Sequence, residues 1–316
     1  MAAATPREEQ ERRLTRRIGQ LKQERRAVIL AHLYQPPAIQ DLADFVGDSL
    51  GLSRRAAATD AEVIVFCGVH FMAESAAILS PDRPVLLPEP DAGCPMADMV
   101  DPDDLRARKA ELPGVPVVCY VNSSAEVKAE SDICCTSRNA VEVVESLGAD
   151  QIIFVPDRNL GHYVSTKTDV EVLLWDGYCS SHDAITAAEV RRAKQRHPEA
   201  EILVHPECRP TVVALADHVL STSGMLRQAH ASSATEFIVC TEMGILYQLE
   251  RQNPGKRFYL PSEHKQYCAN MKKTNLFKLA SALENLEPRV TVPEDIRLRA
   301  VASLERMLAV ASPVVR

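Results

Sequence analysis

Three cysteines recur at nearly equal intervals, and each follows a segment with the pattern of a β-strand. Cys179 comes 85 residues after Cys94 and 89 residues before Cys268. Thiolates are the ligands that iron–sulfur clusters and zinc prefer. If three similar units stand around a pseudo-threefold axis, the three thiols can meet at one point. The spacing therefore predicts a metal centre with one sulfur ligand from each unit.

The kind of metal centre stays open on spacing alone. Structural zinc usually takes four ligands from CxxC-type pairs, and none of the three cysteines has such a neighbour. A cubane cluster on three cysteines leaves one iron open to act as a Lewis acid. The alternative is that each cysteine is a small buried apolar residue. That alternative is favoured for Cys67, Cys119 and Cys240, which lie within apolar strands, while Cys208 stays a weak alternative ligand.

Polar side chains also close the first predicted strand of each unit, in pairs two residues apart. The pairs are His32 with Tyr34, Tyr120 with Asn122, and His205 with Glu207. On an extended chain, residues two apart point to the same side. Histidine, glutamate and tyrosine can supply the acid–base groups of proton transfer. A single histidine is more often a satisfied core side chain, but three parallel pairs favour a site.

Hydroxyl groups precede a predicted helix in each unit: Ser49, Ser137, and residues 221–223. The commonest use of such residues is as helix N-caps. Helix N-termini also bind phosphate and carboxylate groups through free backbone N–H groups. The sequence has no GxGxxG or Walker A motif, so nucleotide binding is poorly supported.

The elements that must position these residues also repeat. The first strands begin at Val28, Val117 and Ile202. We therefore predict an α/β fold of three similar three-layer αβα domains with parallel sheets. The predicted segments are an N-terminal helix (1–24), αβα domains at 25–112, 113–198 and 199–287, and a C-terminal helix (288–316) that packs back on the body. Residues 39–47 are predicted to be helical.

Composition limits the classes of function. Of 316 residues, 46% are hydrophobic and 25% are charged, which is typical of a soluble globular protein. The net charge of −7 argues against a broad surface for nucleic acid. The first residues resemble no secretory signal or transit peptide, and no apolar run is long enough to span a bilayer. We expect a cytoplasmic protein, where nine cysteines do not favour disulfides.

Eleven motifs, in order and spread over about residues 25 to 290, resemble the quinolinate synthase family, which acts in de novo NAD biosynthesis. The motifs are HLYQ (32–35), GDSLGLS (47–53), FMAES (71–75), AGCPMADM (92–99), YVNSSAEVKA (120–129), PDRNLGHYV (156–164), GYCSSH (177–182), HPEC (205–208), STSGM (221–225), TEMG (241–244) and NMKK (270–273).

The resemblance implies three Rossmann-like domains around a central cavity that holds a 4Fe-4S cluster on Cys94, Cys179 and Cys268, with one open iron. It implies that iminoaspartate, supplied by L-aspartate oxidase, condenses with dihydroxyacetone phosphate to give quinolinate, phosphate and water. The matched motifs give these substrate-binding residues: His32, Ser49, Tyr120, Val121, Asn122, Ser137, His205, Pro206, Glu207 and Thr222.

Among the residues carried over, Tyr34, His205 and Glu207 are the candidates for proton transfer, and His182 is expected near the cavity. One departure concerns the last ligand. Some family members carry a CxxCxxC motif there, whereas Cys268 stands alone in this chain. This leaves a disulfide switch at that position unsupported.

Two other classes of protein remain as alternatives. A three-domain metal or redox sensor would use the same cysteines without substrate chemistry, although the chain has no DNA-binding motif to carry its output. A cluster-free α/β enzyme would use the serine sites for a phosphosugar and would keep its activity when the three cysteines are replaced.

Overall fold

The computed structural model describes residues 5–262 and 264–310. Within these ranges there are three four-stranded sheets, and every strand pair is parallel. The strands are β1 (Ala27–His32), β2 (Phe45–Gly47), β3 (Val63–Cys67), β4 (Val85–Leu86), β5 (Val117–Tyr120), β6 (Ile133–Cys135), β7 (Gln151–Val155), β8 (Glu171–Leu174), β9 (Glu201–Val204), β10 (His218–Val219), β11 (Glu236–Cys240) and β12 (Arg257–Tyr259).

Helices connect and flank the strands. They are α1 (Pro6–Glu24), α2 (Pro37–Gln40), α3 (Ser49–Ala58), α4 (His70–Leu79), α5 (Pro102–Glu111), α6 (Ala125–Ala129), α7 (Ala140–Ser146), α8 (Arg158–Ser165), α9 (Ser180–Asp183), α10 (Ala187–Arg196), α11 (Pro210–Val213), α12 (Thr222–Ala231), α13 (Leu246–Gln252), α14 (Leu276–Asn285) and α15 (Glu294–Ala309).

The three sheets share one topology. Their strand orders are β2-β1-β3-β4, β6-β5-β7-β8 and β10-β9-β11-β12, so each sheet has its first and third strands in the middle. Parallel strands need crossover connections, and the helices between them supply these. The predicted α/β class with three repeated parallel sheets is confirmed.

By its internal contacts the chain forms two compact units. Unit 1 comprises the chain up to Gly93 together with Ala269–Val292, and unit 2 comprises Cys94–Cys268 together with the chain from Pro293. Unit 1 contains the first sheet, and unit 2 contains the second and third sheets. The domain boundaries set from the sequence stay predictions.

In unit 1, α1 and α14 bury one apolar face each against the first sheet. Ile18 and Leu21 of α1 lie in one core cluster with Ile29 of β1 and with Leu279 and Leu283 of α14. The rest of α1 is mostly exposed, as expected of a charged amphipathic helix.

The prediction of a helix over residues 39–47 is wrong. Helix α2 ends at Gln40, and the chain then forms β2, which pairs with β1 so that Val46 lies opposite Ala31. The reason is a side-chain contact to the backbone that helical periodicity does not show. The carboxylate of Asp44 accepts the backbone N–H of Ile29 at 2.8 Å and ties this segment to the sheet edge.

The same contact recurs in the other two sheets. Asp132 accepts the backbone N–H of Val117, and Asp217 accepts that of Ile202, each at 2.7 Å. In all three sheets the aspartate lies 15 residues after its donor and directly before the short second strand. The repeat therefore extends to individual hydrogen bonds.

In unit 2, α15 packs on the second sheet. Ser303 of α15 donates to the carbonyl of Lys128 at 2.9 Å and lies 3.4 Å from the sulfur of Cys134. None of the helices in the described ranges is both long enough and apolar enough to cross a bilayer.

Candidate metal and proton-transfer site

The three cysteines singled out by spacing all belong to unit 2, and each follows the fourth strand of a sheet along the chain. Cys179 is the N-cap of α9. Cys94 precedes a short 3-10 turn, and its carbonyl accepts the backbone N–H of Ala97 at 2.9 Å. Each cysteine lies in a turn and is partly exposed, unlike the fully buried cysteines of the strands.

Cys94 lies within electrostatic range of each of the other two thiols. Burial raises the pKa of Cys94 to about 12, and the neighbouring Cys268 and Glu207 add to this effect. Burial also raises the pKa of Cys179 well above its usual range, and Glu207 and Cys94 contribute further. Glu207 thus affects the ionisation of both Cys94 and Cys179, and Cys94 interacts electrostatically with both other thiols.

A histidine links the cysteines to this carboxylate. Nδ1 of His182 lies 2.9 Å from Oε2 of Glu207 and 3.1 Å from the sulfur of Cys179. Its other nitrogen, Nε2, lies 2.8 Å from the hydroxyl of Thr241. Cys179, His182 and Glu207 each offer one ligand atom, and these atoms lie within 4.8 Å of one another, so this group can hold a metal ion.

Residues from the ends of β5 and β9 complete the surroundings of Glu207. The phenolic hydroxyl of Tyr120 donates a hydrogen bond to Oε1 of Glu207. The His205 ring stacks on the His182 ring with centroids 4.6 Å apart, and its Nε2 lies 3.2 Å from the hydroxyl of Ser137. The structure thus joins the strand-end residues Tyr120, His205 and Glu207.

The pKa values of these buried groups are shifted. Burial opposes ionisation of Glu207, but His182 and His205, with hydrogen bonds from His182 and Tyr120, hold its pKa below its usual range. Burial lowers the pKa of His205 to about 3, so this imidazole is neutral near pH 7. Both groups are therefore unprotonated near pH 7, and the lowered pKa makes each a weaker base than it is in water.

The remaining predicted residues of unit 2 are mostly buried, and two of them border a cavity. Val121 and Thr222 are buried, and the buried Oδ1 of Asn122 has no hydrogen-bond partner among the described residues. A cavity of about 190 Å³ is bordered by Ser137 and Pro206. Its other lining residues are Arg138, Ala140, Val141, Glu142, Leu160, Tyr163, Val219, Leu220, Ser221, Gly224 and Arg227.

Unit 1 holds the other predicted residues. His32 and Tyr34 are buried, and their rings pack edge to face with centroids 4.5 Å apart. The backbone N–H of Tyr34 donates to Nδ1 of His32 at 3.1 Å. Strand β1 ends at His32, so Tyr34 lies in the turn that follows, and Ser49 is the first residue of α3.

Sequence reasoning assigned no role to Thr241 or Asn159. The side-chain amide of Asn159 donates to the carbonyl of Glu207 at 3.0 Å and to Oδ1 of Asp183 at 3.2 Å. Both residues lie just beyond the end of a third strand, β7 or β11. That shared position is the sequence signal that could have found them, since ligand sites in parallel sheets lie at carboxyl ends of strands.

This fold and this site define an α/β enzyme in which thiols stand beside acid–base groups. The chain belongs to the quinolinate synthetase A protein family, whose model matches residues 16–309. A protein of Desulforudis audaxviator (strain MP104C) named quinolinate synthase is 59% identical over 297 residues, which cover 94% of this chain and 98% of that protein.

Proteins of two other organisms are similar over nearly the same length. The quinolinate synthase of Methanosarcina barkeri (strain Fusaro / DSM 804) is 56% identical over 301 residues, covering 95% of this chain and 99% of that protein. The quinolinate synthase of Geobacter sp. (strain M21) is 56% identical over 293 residues, covering 93% and 96%. The resemblance found in the motifs is therefore confirmed over nearly the whole chain.

Proposed function

We propose that this chain makes quinolinate for NAD biosynthesis by condensing iminoaspartate with dihydroxyacetone phosphate, with release of phosphate and two waters. We propose further that Cys94, Cys179 and Cys268 hold a 4Fe-4S cluster with one iron that has no protein ligand. Family membership supports the reaction. The observation that supports the cluster is that Cys94 interacts electrostatically with Cys179, Cys268 and Glu207, while the sulfur of Cys179 lies 3.1 Å from His182 in unit 2.

The donor set fits such a cluster. Burial and mutual repulsion keep the thiols of Cys94 and Cys179 protonated far above neutral pH, since charged sulfur atoms are poorly solvated there. Iron supplies the positive charge that makes buried thiolates stable, and ligation removes the thiol protons. When bound, the cluster supplies a Lewis-acidic iron for the dehydration steps.

The chain's own residues supply proton transfer. Glu207 stays ionised, so its carboxylate can take a proton from substrate carbon or nitrogen. His182 holds Oε2 and Tyr120 holds Oε1, which fixes the carboxylate in one orientation. Neutral His205 accepts the backbone N–H of Glu207 at Nδ1 and contacts the hydroxyl of Ser137 through Nε2, so it orders the site as a neutral hydrogen-bonding group.

Substrate binding can draw on an acceptor atom that has no partner among the described residues and on a cavity with charged lining residues. The partnerless Oδ1 of Asn122 can accept a hydrogen bond from substrate. The cavity beside Ser137 is lined by two arginines, Arg138 and Arg227, which suit a phosphorylated substrate better than a neutral one. His32, Tyr34 and Ser49 stay site residues proposed from the matched motifs. L-aspartate oxidase is the proposed supplier of iminoaspartate.

Iron, sulfide and quinolinate measured on anaerobically purified protein test this proposal. We expect about four irons and four sulfides per chain, broad absorbance near 400 nm, and quinolinate from the two substrates. Replacement of Cys94, Cys179 or Cys268 by alanine should remove the absorbance and the product. Cys67→Ala is the matched control, because Cys67 is fully buried within β3 and lies in the apolar core of unit 1.

Other results would favour the alternatives. One metal ion per chain without sulfide would point to Cys179, His182 and Glu207 as a mononuclear site. Quinolinate formation that survives all three alanine replacements would mean a cluster-free enzyme. A cluster without any quinolinate formation would favour the sensor.

A further inference from the structure

Two buried carboxylates contact the backbone of two of the proposed ligands. Asp157 is completely buried, and its Oδ2 accepts the backbone N–H of Cys179 at 3.2 Å. Its other oxygen, Oδ1, accepts the backbone N–H of Leu160 at 2.7 Å. One carboxylate therefore ties the Cys179 turn to the first turn of α8.

The third sheet repeats this arrangement with a longer side chain. Glu242 is 1% exposed, and its Oε1 accepts the backbone N–H of Cys268 at 3.2 Å. Its Oε2 accepts the backbone N–H of Gly244 at 2.7 Å. One oxygen again contacts the cysteine, and the other contacts the residue's own turn.

The two carboxylates occupy equivalent places. Asp157 comes two residues after the end of β7, and Glu242 comes two residues after the end of β11. The corresponding residue after β3 is Val69, which cannot make this contact. The turn of Cys94 is closed by its own backbone instead, since the Cys94 carbonyl accepts the N–H groups of Ala97 and Asp98.

We infer that Asp157 and Glu242 are positioning residues that fix the turns of Cys179 and Cys268, so that both thiols are directed to the metal before it binds. The inference rests on the proposed function. A thiol on an unrestrained turn must be ordered when the metal binds, and this ordering costs free energy. Groups that orient metal ligands typically change metal affinity by about 10- to 100-fold when they are replaced.

Asp157→Asn and Glu242→Gln test this inference, because each keeps one acceptor oxygen and places an NH2 group where the second oxygen was. Asp101→Asn is the matched control. Asp101 is also the N-cap of a helix in unit 2, but it accepts the N–H of Asp103 and contacts no cysteine. Each variant is loaded with iron and sulfide anaerobically, and iron loss to a chelator is followed with time.

We expect Asp157→Asn and Glu242→Gln to lose iron about tenfold faster than wild type, and Asp101→Asn to match wild type. Hydrogen–deuterium exchange distinguishes a local positioning role from a general loss of protein stability. In Asp157→Asn, faster exchange should be confined to the peptide with Cys179, and in Glu242→Gln to the peptide with Cys268. If one variant does not fold, the result for the other variant tests the positioning role.

Equal iron loss in all three variants, or unchanged exchange at both cysteine peptides, would overturn the positioning role and leave the proposed function standing. Wild-type protein that binds no iron would instead overturn the proposed function, and the positioning role would fall with it.

Discussion

Nδ1 of His182 lies 2.9 Å from Oε2 of Glu207, and both side chains are almost completely buried. The same nitrogen lies 3.1 Å from the sulfur of Cys179. Removing one partner of such a buried pair strongly destabilises the protein, since the other partner is left buried without solvation. The acid–base group and a proposed metal ligand are therefore joined through one imidazole.

Glu207→Gln should keep the cluster and lose quinolinate formation. The amide has the same shape but cannot accept a proton, and loss of a general base typically lowers the rate by about 10²- to 10⁴-fold. Iron content and the initial rate of quinolinate formation measure the two effects separately. Full turnover by this variant would remove Glu207 from the mechanism.

Tyr120→Phe should raise the pKa of Glu207, because the phenolic hydrogen bond stabilises the ionised carboxylate. An acid limb set by Glu207 in the kcat/KM profile should move to higher pH by about one unit, because a hydrogen bond to a charged group contributes roughly 1.5 kcal/mol. Tyr259→Phe is the control, because Tyr259 lies on β12 with its ring stacked on His197, and it should leave the profile unchanged. An unmoved acid limb in Tyr120→Phe would show that this hydrogen bond does not tune Glu207.

Arg138→Gln should raise KM for dihydroxyacetone phosphate about tenfold with little change in kcat. Arg138 lines the cavity beside Ser137, and a guanidinium–phosphate contact is a strong charge-assisted interaction. Arg191→Gln, on the exposed side of α10, is the matched control. Equal KM values for the two variants would exclude the cavity from phosphate binding.

Gly177→Ala should destabilise the protein by about 2 kcal/mol. A Cβ atom at Gly177 would lie 2.5 Å from the carbonyl oxygen of Pro156, which its own N–H already contacts. Gly19→Ala is the contrasting variant, because no atom lies within 4 Å of its added Cβ in α1. It should stabilise the helix by about 0.5 to 1 kcal/mol. Urea unfolding measures the free energy of unfolding of both variants. A change of the same sign in both would contradict the steric argument.

Glu130→Gln should weaken the attachment of α15 at neutral pH. Oε1 of Glu130 accepts from Arg106 at 2.9 Å and from Arg299 of α15 at 2.6 Å. Burial opposes ionisation, but hydrogen bonds from Arg299 and Arg106 lower the pKa of Glu130 below its usual value. Both arginines are about half exposed, so we expect a loss of about 1 kcal/mol or less.

The sign of the pH effect follows from the lowered pKa of Glu130. Its stabilisation is complete above pH 4.5, the ordinary value, and is lost as pH falls through the lower folded value. The difference between wild type and Glu130→Gln in urea unfolding should therefore shrink below pH 4.5. Glu111→Gln, whose pair with Arg108 is exposed, is the control and should show no difference at any pH.

The fold class could be predicted because buried parallel strands leave a strong pattern, namely short apolar runs with helices between them. The edge strands β2 and β10 leave a weaker sequence pattern. They are only three and two residues long, and a backbone contact from Asp44 or Asp217 secures each to its sheet. The available signal was an aspartate 15 residues after the first-strand residue whose backbone N–H it accepts.

The sequence by itself determined the repeat, the three spaced cysteines and the polar residues at strand ends, because each depends on local periodicity. Only the tertiary structure decided which of these groups meet. It joined Glu207 to His182, Tyr120 and Cys179 at close range and added Asp157 and Glu242 behind two of the cysteines. Such contacts depend on how turns of separate sheets pack, and the free energy of that packing is a sum over the whole core that no short stretch of sequence contains.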